Sequence, residues 1–156
     1  REIEQDKRHL QVEIRRLELT NNGNNVETLE VTSYFEPVLS TSMQDYAHIA
    51  FNNLFLTFKD AGNGSIFVKR KKRGDKQVDV YAGINLYTEC ETIGDVEYEI
   101  DKEKFMGKGN FDIPEAIKKS KPFSKNLGLV TEPCLAIKKT VKILPSETAT
   151  LASPHA

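Results

Sequence analysis

Strict alternation of apolar and polar positions is the clearest pattern in the chain, and it runs over residues Val78–Tyr87. The apolar members occupy the even positions Val78, Val80, Ala82, Ile84 and Leu86. Because successive side chains point to opposite faces of a strand, this run predicts a β-strand with one buried face. The other face carries Tyr81, Asn85 and Tyr87. These residue types suit either stacking on a sugar ring or packing under a neighbouring sheet.

Runs of apolar, β-branched and aromatic residues predict further strands between Gly-, Asn- and Pro-rich turns. They cover Leu10–Leu19, Glu27–Leu39, Phe51–Phe58, Ile66–Lys69, Ile93–Ile100 and Leu135–Ile143, with a last strand from Thr148. The apolar phase of the first run shifts at Arg15–Arg16, which predicts a β-bulge. The segment Asn21–Asn25 predicts a hairpin turn between the first two strands, because Asn and Gly tolerate positive φ.

The region Lys102–Lys125 breaks the strand pattern and predicts one short helix near residues 112–121. Asp112 is suited to the N-cap, Pro114 to the first turn, and Pro122 follows the helix end. Many short strands with a single short helix predict an all-β fold, a large antiparallel β-sandwich. We expect this to be one domain covering residues 1–156.

Composition excludes several classes of partner. With 22 Lys and Arg against 23 Asp and Glu, the net charge of −1 gives no drive towards nucleic acid or an anionic membrane. No apolar run approaches the ~20 residues of a membrane-spanning helix. Cys90 and Cys134 lie far apart and no Cys/His spacing indicates a metal site. A reducing, cytoplasmic location is the expectation.

Candidate chemistry in the strands is weak. Glu97, Glu99 and Asp101 share one face of a predicted strand, where they suit either acid–base chemistry or an exposed acidic edge. We favour the edge, because no apolar wall is evident that would raise a carboxyl pKa. Gly107 and Gly109 lack the third glycine of a phosphate-binding loop. We therefore assign no catalytic residue.

A polar connection of about ten residues, which we call the central loop, joins the strands predicted at Glu27–Leu39 and Phe51–Phe58. Connections of this length are often functional. It contains Asp45, Tyr46 and His48. Two interpretations stay open. Asp45 and His48 either brace a structural crossover through hydrogen bonds to loop backbone, or belong to a loop presented to a ligand or partner.

Three segments, Arg15–Phe55, Val96–Asn110 and Gly128–Leu151, resemble the β-sandwich domain of glycoside hydrolase family 94. The resemblance covers nearly the whole chain in the same segment order. It is strongest to the β-1,2-oligoglucan phosphorylase and cyclic β-1,2-glucan synthase branch. There the central loop reads Asp, two residues, His and then Ala-Phe; here Asp45–Phe51 reads DYAHIAF, with Ile49 where proline is common.

The resemblance implies a galactose-mutarotase-like supersandwich. It also implies that the chain is a fragment of a larger multidomain enzyme, an expectation that the terminal residues Arg1 and Ala156 support. In that family a separate (α/α)6 catalytic domain holds the acid and the phosphate site. The implied function is a non-catalytic domain of an inverting phosphorylase acting on β-glucan oligosaccharides. No cofactor is implied, and inorganic phosphate is the co-substrate of the parent enzyme.

For the central loop, the resemblance implies a place at the interface of a homodimer, beside the neighbouring subunit's active site. The candidates for that position are Asp45, His48, Asn52 and Asn53. They would shape the site and take no part in the chemistry. Two alternatives to the family function remain, an independent carbohydrate-binding module and a protein-interaction sandwich without sugar affinity.

Overall fold

A computed structural model of the chain describes residues 11–39, 53–72, 79–109 and 112–156. In chain order the elements are β1 (Glu13–Thr20), β2 (Glu27–Phe35), β3 (Leu56–Gly62), β4 (Ser65–Arg70), β5 (Tyr81–Asn85), β6 (Tyr87–Thr88), β7 (Thr92–Asp101), α1 (Lys102–Met106), α2 (Glu115–Lys118), β8 (Pro133–Ile143) and β9 (Thr148–His155).

The strands form two antiparallel sheets. The larger sheet has the order β1-β9-β5-β4-β3, with β6 also paired to β9, and the smaller sheet has the order β2-β8-β7. Their facing sides meet in one apolar core, to which the larger sheet contributes Ile66, Val68, Ile84 and Leu151 and the smaller sheet Leu135, Ile137, Val141 and Ile143. The predicted all-β sandwich is confirmed.

Strand β8 is buried on both faces. Its odd positions enter the core between the sheets, while Cys134 and Ala136 join a second apolar cluster on the outer face of the smaller sheet. Phe105 of α1, Ala116 of α2 and Phe123 complete that cluster. We call residues 121–125 the covering segment, because they lie over this face. The smaller sheet is therefore the middle of three layers.

Strand β1 corrects two predictions. It pairs with β9 without interruption from Glu13 to Thr20, so the bulge at Arg15–Arg16 is wrong. The even positions simply stay on the outer face, where Ile14 is 67% exposed. The turn after β1 is not a hairpin either, because β1 pairs with β9 and β2 pairs with β8. Asn21 secures this crossover by donating to the carbonyls of Asn25, at 2.8 Å, and Ile143, at 3.0 Å.

The alternating run forms β5 and β6, and Ala82, Ile84 and Leu86 are buried as predicted. Val80 is not, since it precedes β5 and is 42% exposed. Val78 lies outside the described residues.

Two short helices replace the single predicted one in the region after β7. Helix α2 lies inside the predicted range, but Pro114 occupies its N-cap and no side chain, including that of Asp112, makes a cap hydrogen bond. Helix α1 was not predicted. Asp101 caps it by accepting from the backbone amides of Glu103 and Lys104, so the last residue of β7 also starts the helix.

Replacing Ile84 with alanine should lower the free energy of unfolding by about 2–5 kcal/mol, because the change leaves a cavity in a packed core. Ile84 is 3% exposed. Val80→Ala is the matched control and should stay within about 0.5 kcal/mol. Urea unfolding of both variants measures the difference; equal losses would mean that this strand's buried face is misassigned.

Candidate functional site

Of the four loop candidates, the structure describes one. Asp45, His48 and Asn52 lie outside the described residues. Asn53 is half-buried, and its side-chain amide donates to the carbonyl of Thr131 at 3.1 Å. This contact fixes the chain at the end of the central loop, and the role of Asn53 towards a ligand stays a prediction.

The chain on either side of the loop is also fixed. Arg70 of β4 donates to the carbonyl of Leu39 at 3.0 Å, before the loop. After the loop, the carbonyl of Phe55 accepts a hydrogen bond from the backbone amide of Lys71 at 2.8 Å. Both ends of the central loop are therefore anchored beside the end of β4.

The predicted exposed acidic edge on β7 is wrong. Glu99 is buried, and its carboxylate accepts four hydrogen bonds. The donors are the amides of Ile100 and Asp101, each at 3.1 Å, and the amide and hydroxyl of Ser124, each at 3.0 Å. Ser124 belongs to the covering segment, so Glu99 holds that segment on the sheet.

Lys138 of β8 provides the second attachment. Its side chain is only 5% exposed and lies 3.1 Å from Glu30 Oε1 and 3.0 Å from Glu97 Oε2. The ammonium also donates to the carbonyl of Lys121 at 3.2 Å and lies 4.7 Å from the ring centroid of Phe123. One buried cation thus joins all three strands of the smaller sheet to the covering segment.

The carboxyl of Glu97 is unsuited to general acid catalysis. Burial alone would raise its pKa, but the amide of Phe123, at 2.9 Å, and the ammonium of Lys138 together hold the pKa below its usual value. A general acid needs the opposite shift, since it must carry a proton near neutral pH. Glu97 is therefore a structural anion.

A cleft of about 620 Å³ lies beside these residues, between the two helices and the covering segment. Glu115 faces it, and hydrogen bonds from Lys119, at 2.7 Å, and Lys121, at 2.8 Å, lower the pKa of Glu115 to about 2. The charges that line the cleft are thus largely paired within the chain. Among the described residues, no group of three or more His, Cys, Asp or Glu could hold a metal ion.

A histidine and two serines meet between the sheets. His155 Nε2 lies 3.1 Å from Ser33 Oγ and 3.0 Å from Ser153 Oγ, and Ser153 Oγ lies 2.9 Å from the carbonyl of Asn85. Burial lowers the pKa of His155, and the ring stacks on Phe35 at 5.0 Å. Because His155 and Ser153 are both buried, this group is a polar link between β2 and β9.

Sequence reasoning missed both polar groups, although each left a signal. Residues Cys134 to Ile137 are apolar at odd and even positions alike, which is typical of a strand buried on both faces. Lys138 lies two positions after Ala136 and therefore on the same face. On β9, Ser153 and His155 continue the buried positions Ala149 and Leu151. Extending each alternation to the end of its strand would have placed these residues inside.

Residues 7–153 match the family described as glycosyl hydrolase 94, supersandwich domain. The chain is also 30% identical, over 139 residues, to the cyclic beta-(1,2)-glucan synthase NdvB of Rhizobium meliloti (strain 1021). The aligned part is 83% of this chain and 5% of that relative, so the chain spans a small fraction of the relative's length. In the described ranges, no helix is long and apolar enough to cross a membrane.

Lys138→Met should lower the free energy of unfolding by about 1–3 kcal/mol, because it leaves two carboxylates and the part-buried carbonyl of Lys121 without their cationic donor. The cost stays below that of a fully buried pair, since Glu30 and Glu97 keep 37% and 28% of their side-chain surface. Lys142→Met is the matched control on the same strand, removing an exposed pair with Glu91 worth at most about 1 kcal/mol. Denaturant unfolding compares the two, and a Lys138 effect no larger than the control would contradict the assigned role.

Proposed function

The chain belongs to the glycosyl hydrolase 94 family as its supersandwich domain, and from this membership we propose that it is a non-catalytic domain of a larger glucan-processing enzyme. The parent would reversibly phosphorolyse β-linked, specifically β-1,2-linked, glucose oligosaccharides. The observation that carries the proposal is the family match over residues 7–153, in a chain that aligns with 5% of a cyclic β-1,2-glucan synthase.

In the proposed parent, phosphate attacks the anomeric carbon while a carboxylic acid protonates the departing oxygen, with inversion. The acid would come from a separate (α/α)6 domain, and phosphate would be a co-substrate, with no cofactor. The electrostatics of this chain support that division. Glu97 and Glu115 both have a lowered pKa, whereas a proton donor needs a raised one.

The domain's task would be to support the catalytic domain and a homodimer in the cytoplasm. The central loop would lie at the subunit interface, with Asp45, His48, Asn52 and Asn53 beside the neighbouring active site. Asn53 supports this in one respect, because its contact with Thr131 fixes the chain next to the loop. A loop held at both ends can present side chains in a defined geometry.

The purified 156-residue chain should release no glucose 1-phosphate from a β-1,2-glucan in the presence of phosphate. The physical reason is that Glu97 and Glu115 are held as anions, so neither can protonate a leaving oxygen. Enzymatic detection of glucose 1-phosphate measures this, with a family phosphorylase as the positive control. Release above background would overturn the non-catalytic assignment.

In the full-length parent, His48→Ala and Asn53→Ala should raise KM or weaken dimerisation while the fold persists. The expected change is about tenfold, the effect of losing one or two well-placed hydrogen bonds. Asn126→Ala is a matched control, since it removes an exposed amide from another loop. Steady-state kinetics and sedimentation report the two effects, and wild-type values for both loop variants would make the loop a scaffold only.

A further inference from the structure

Three aromatic rings lie uncovered on the outer face of the larger sheet, the face turned away from the smaller sheet. They are Phe67, Tyr81 and Tyr87, which are 44%, 55% and 54% exposed. We call them the aromatic platform. Neither the loop proposal nor the core makes use of them.

The strand register places these rings on one face. Tyr81, Gly83 and Tyr87 alternate with Ala82, Ile84 and Leu86, which are buried in the core. Phe67 of β4 pairs with Gly83 of β5 and so joins the same face. The pairs Ile84↔His155 and Tyr87↔Ala152 belong to the same antiparallel register along β9. Strand β6 therefore continues β5 without a register shift, and Tyr81 and Tyr87 lie on the same face.

Gly83 lets Phe67 lie close against the sheet. A β-carbon at residue 83 would come within 2.6 Å of Phe67 Cδ1, a distance that packed atoms do not reach. The absence of a side chain at this position therefore allows the ring to cover its cross-strand neighbour. Phe67 therefore lies over Gly83, at a position between Tyr81 and Tyr87 along the strand direction.

Charges of both signs lie on this face. Lys59 of β3, opposite Phe67, carries a positive charge. Glu89, which accepts from the Tyr87 hydroxyl at 3.4 Å, carries a negative one. Arg16 of β1 pairs with Glu18 at 2.5 Å. Lys69 of β4 pairs with Asp79 at 3.3 Å and lies 5.2 Å from the ring centroid of Tyr81. A surface of exposed rings on which charges of opposite sign are interspersed complements an uncharged ligand better than an acidic protein or a nucleic acid.

The size of the platform sets the size of the ligand. Tyr81 and Tyr87 lie six positions apart, which is roughly 20 Å at about 3.3 Å per residue. One sugar ring cannot reach both tyrosines, whereas an oligosaccharide can. Glucose in β linkage keeps its ring substituents equatorial, so each ring presents a face of C–H groups that stacks on an aromatic ring.

We propose that the aromatic platform of Phe67, Tyr81 and Tyr87 binds a β-linked glucose oligosaccharide by ring stacking. The choice of glucose rests on the proposed function, while the choice of an uncharged, extended ligand rests on the geometry and charge above. The site differs from the central loop, because it lies on a regular sheet face and not at a loop end. It would hold the glucan on the domain, away from any chemistry.

The test is titration calorimetry of the 156-residue chain with β-1,2-, β-1,3- and β-1,4-linked glucose oligosaccharides, with glucose and an α-1,4-linked hexasaccharide for comparison. We expect affinity for a β-linked series to rise with chain length. Tyr81→Ala and Tyr87→Ala should each weaken binding roughly two- to tenfold, the ratio typical of one lost stacking contact. Tyr81→Phe and Tyr87→Phe keep the rings and should retain most of the affinity.

Ile117→Ala is the matched control, since it removes an exposed apolar side chain on the helix that covers the opposite side of the sandwich. Thermal melting establishes that each variant is folded. Nuclear magnetic resonance of the tyrosine rings in the unmodified chain gives a readout that needs no variant: ligand should shift the Tyr81 and Tyr87 signals.

Four results would overturn the proposal. They are no binding of any β-linked oligosaccharide, binding that both alanine variants leave unchanged, equal binding of the α-linked hexasaccharide, and tyrosine-dependent self-association without sugar binding. None of these depends on the parent's kinetics. If the loop variants change phosphorolysis but the platform binds no sugar, only this inference is wrong. If the platform binds sugar but the loop variants behave as the wild type, only the proposed role of the loop is wrong.

Discussion

The structure depends on strand β8 being buried on both faces. Its odd positions close the core against the larger sheet, and Cys134 and Ala136 close a second apolar cluster on the other side. A strand covered on one face only would leave that second cluster in water. The layer formed by α1, α2 and the covering segment is therefore part of the hydrophobic stabilisation and not an appendage.

That outer layer has little regular structure, so its backbone groups need partners from the sheet. Glu97 accepts from the amide of Phe123, Glu99 from that of Ser124, and Lys138 donates to the carbonyl of Lys121. An apolar sheet face would pack against Phe123 equally well, but it would leave those amides and the carbonyl unsatisfied. This explains why Glu97, Glu99 and Lys138 lie on the sheet face that also packs against Phe105 and Phe123.

Alternation in the sequence predicted which residues share a face, as for Ala82 and Ile84 on β5 and Leu86 between β5 and β6. It could not predict which faces are covered, because the cover comes from residues far along the chain. The outer face of β7 is covered by residues 121–125, which have no periodic pattern of their own. Turn composition at Asn21–Asn25 likewise predicted a reversal, but the pairing partner of β1 is β9, from the other end of the chain. Of the candidate site, only the anchoring of Asn53 falls within the described residues.

The two sheets thus differ in what their outer faces leave for a ligand. On the smaller sheet, the buried carboxylate of Glu99 already has four donors, and Glu97 has two. These two carboxylates therefore attach the outer layer to the sheet. On the larger sheet, the described residues leave Phe67, Tyr81 and Tyr87 exposed on the outer face. In the proposed function, this outer face holds a neutral sugar chain, and a separate domain supplies the groups that carry out the chemistry.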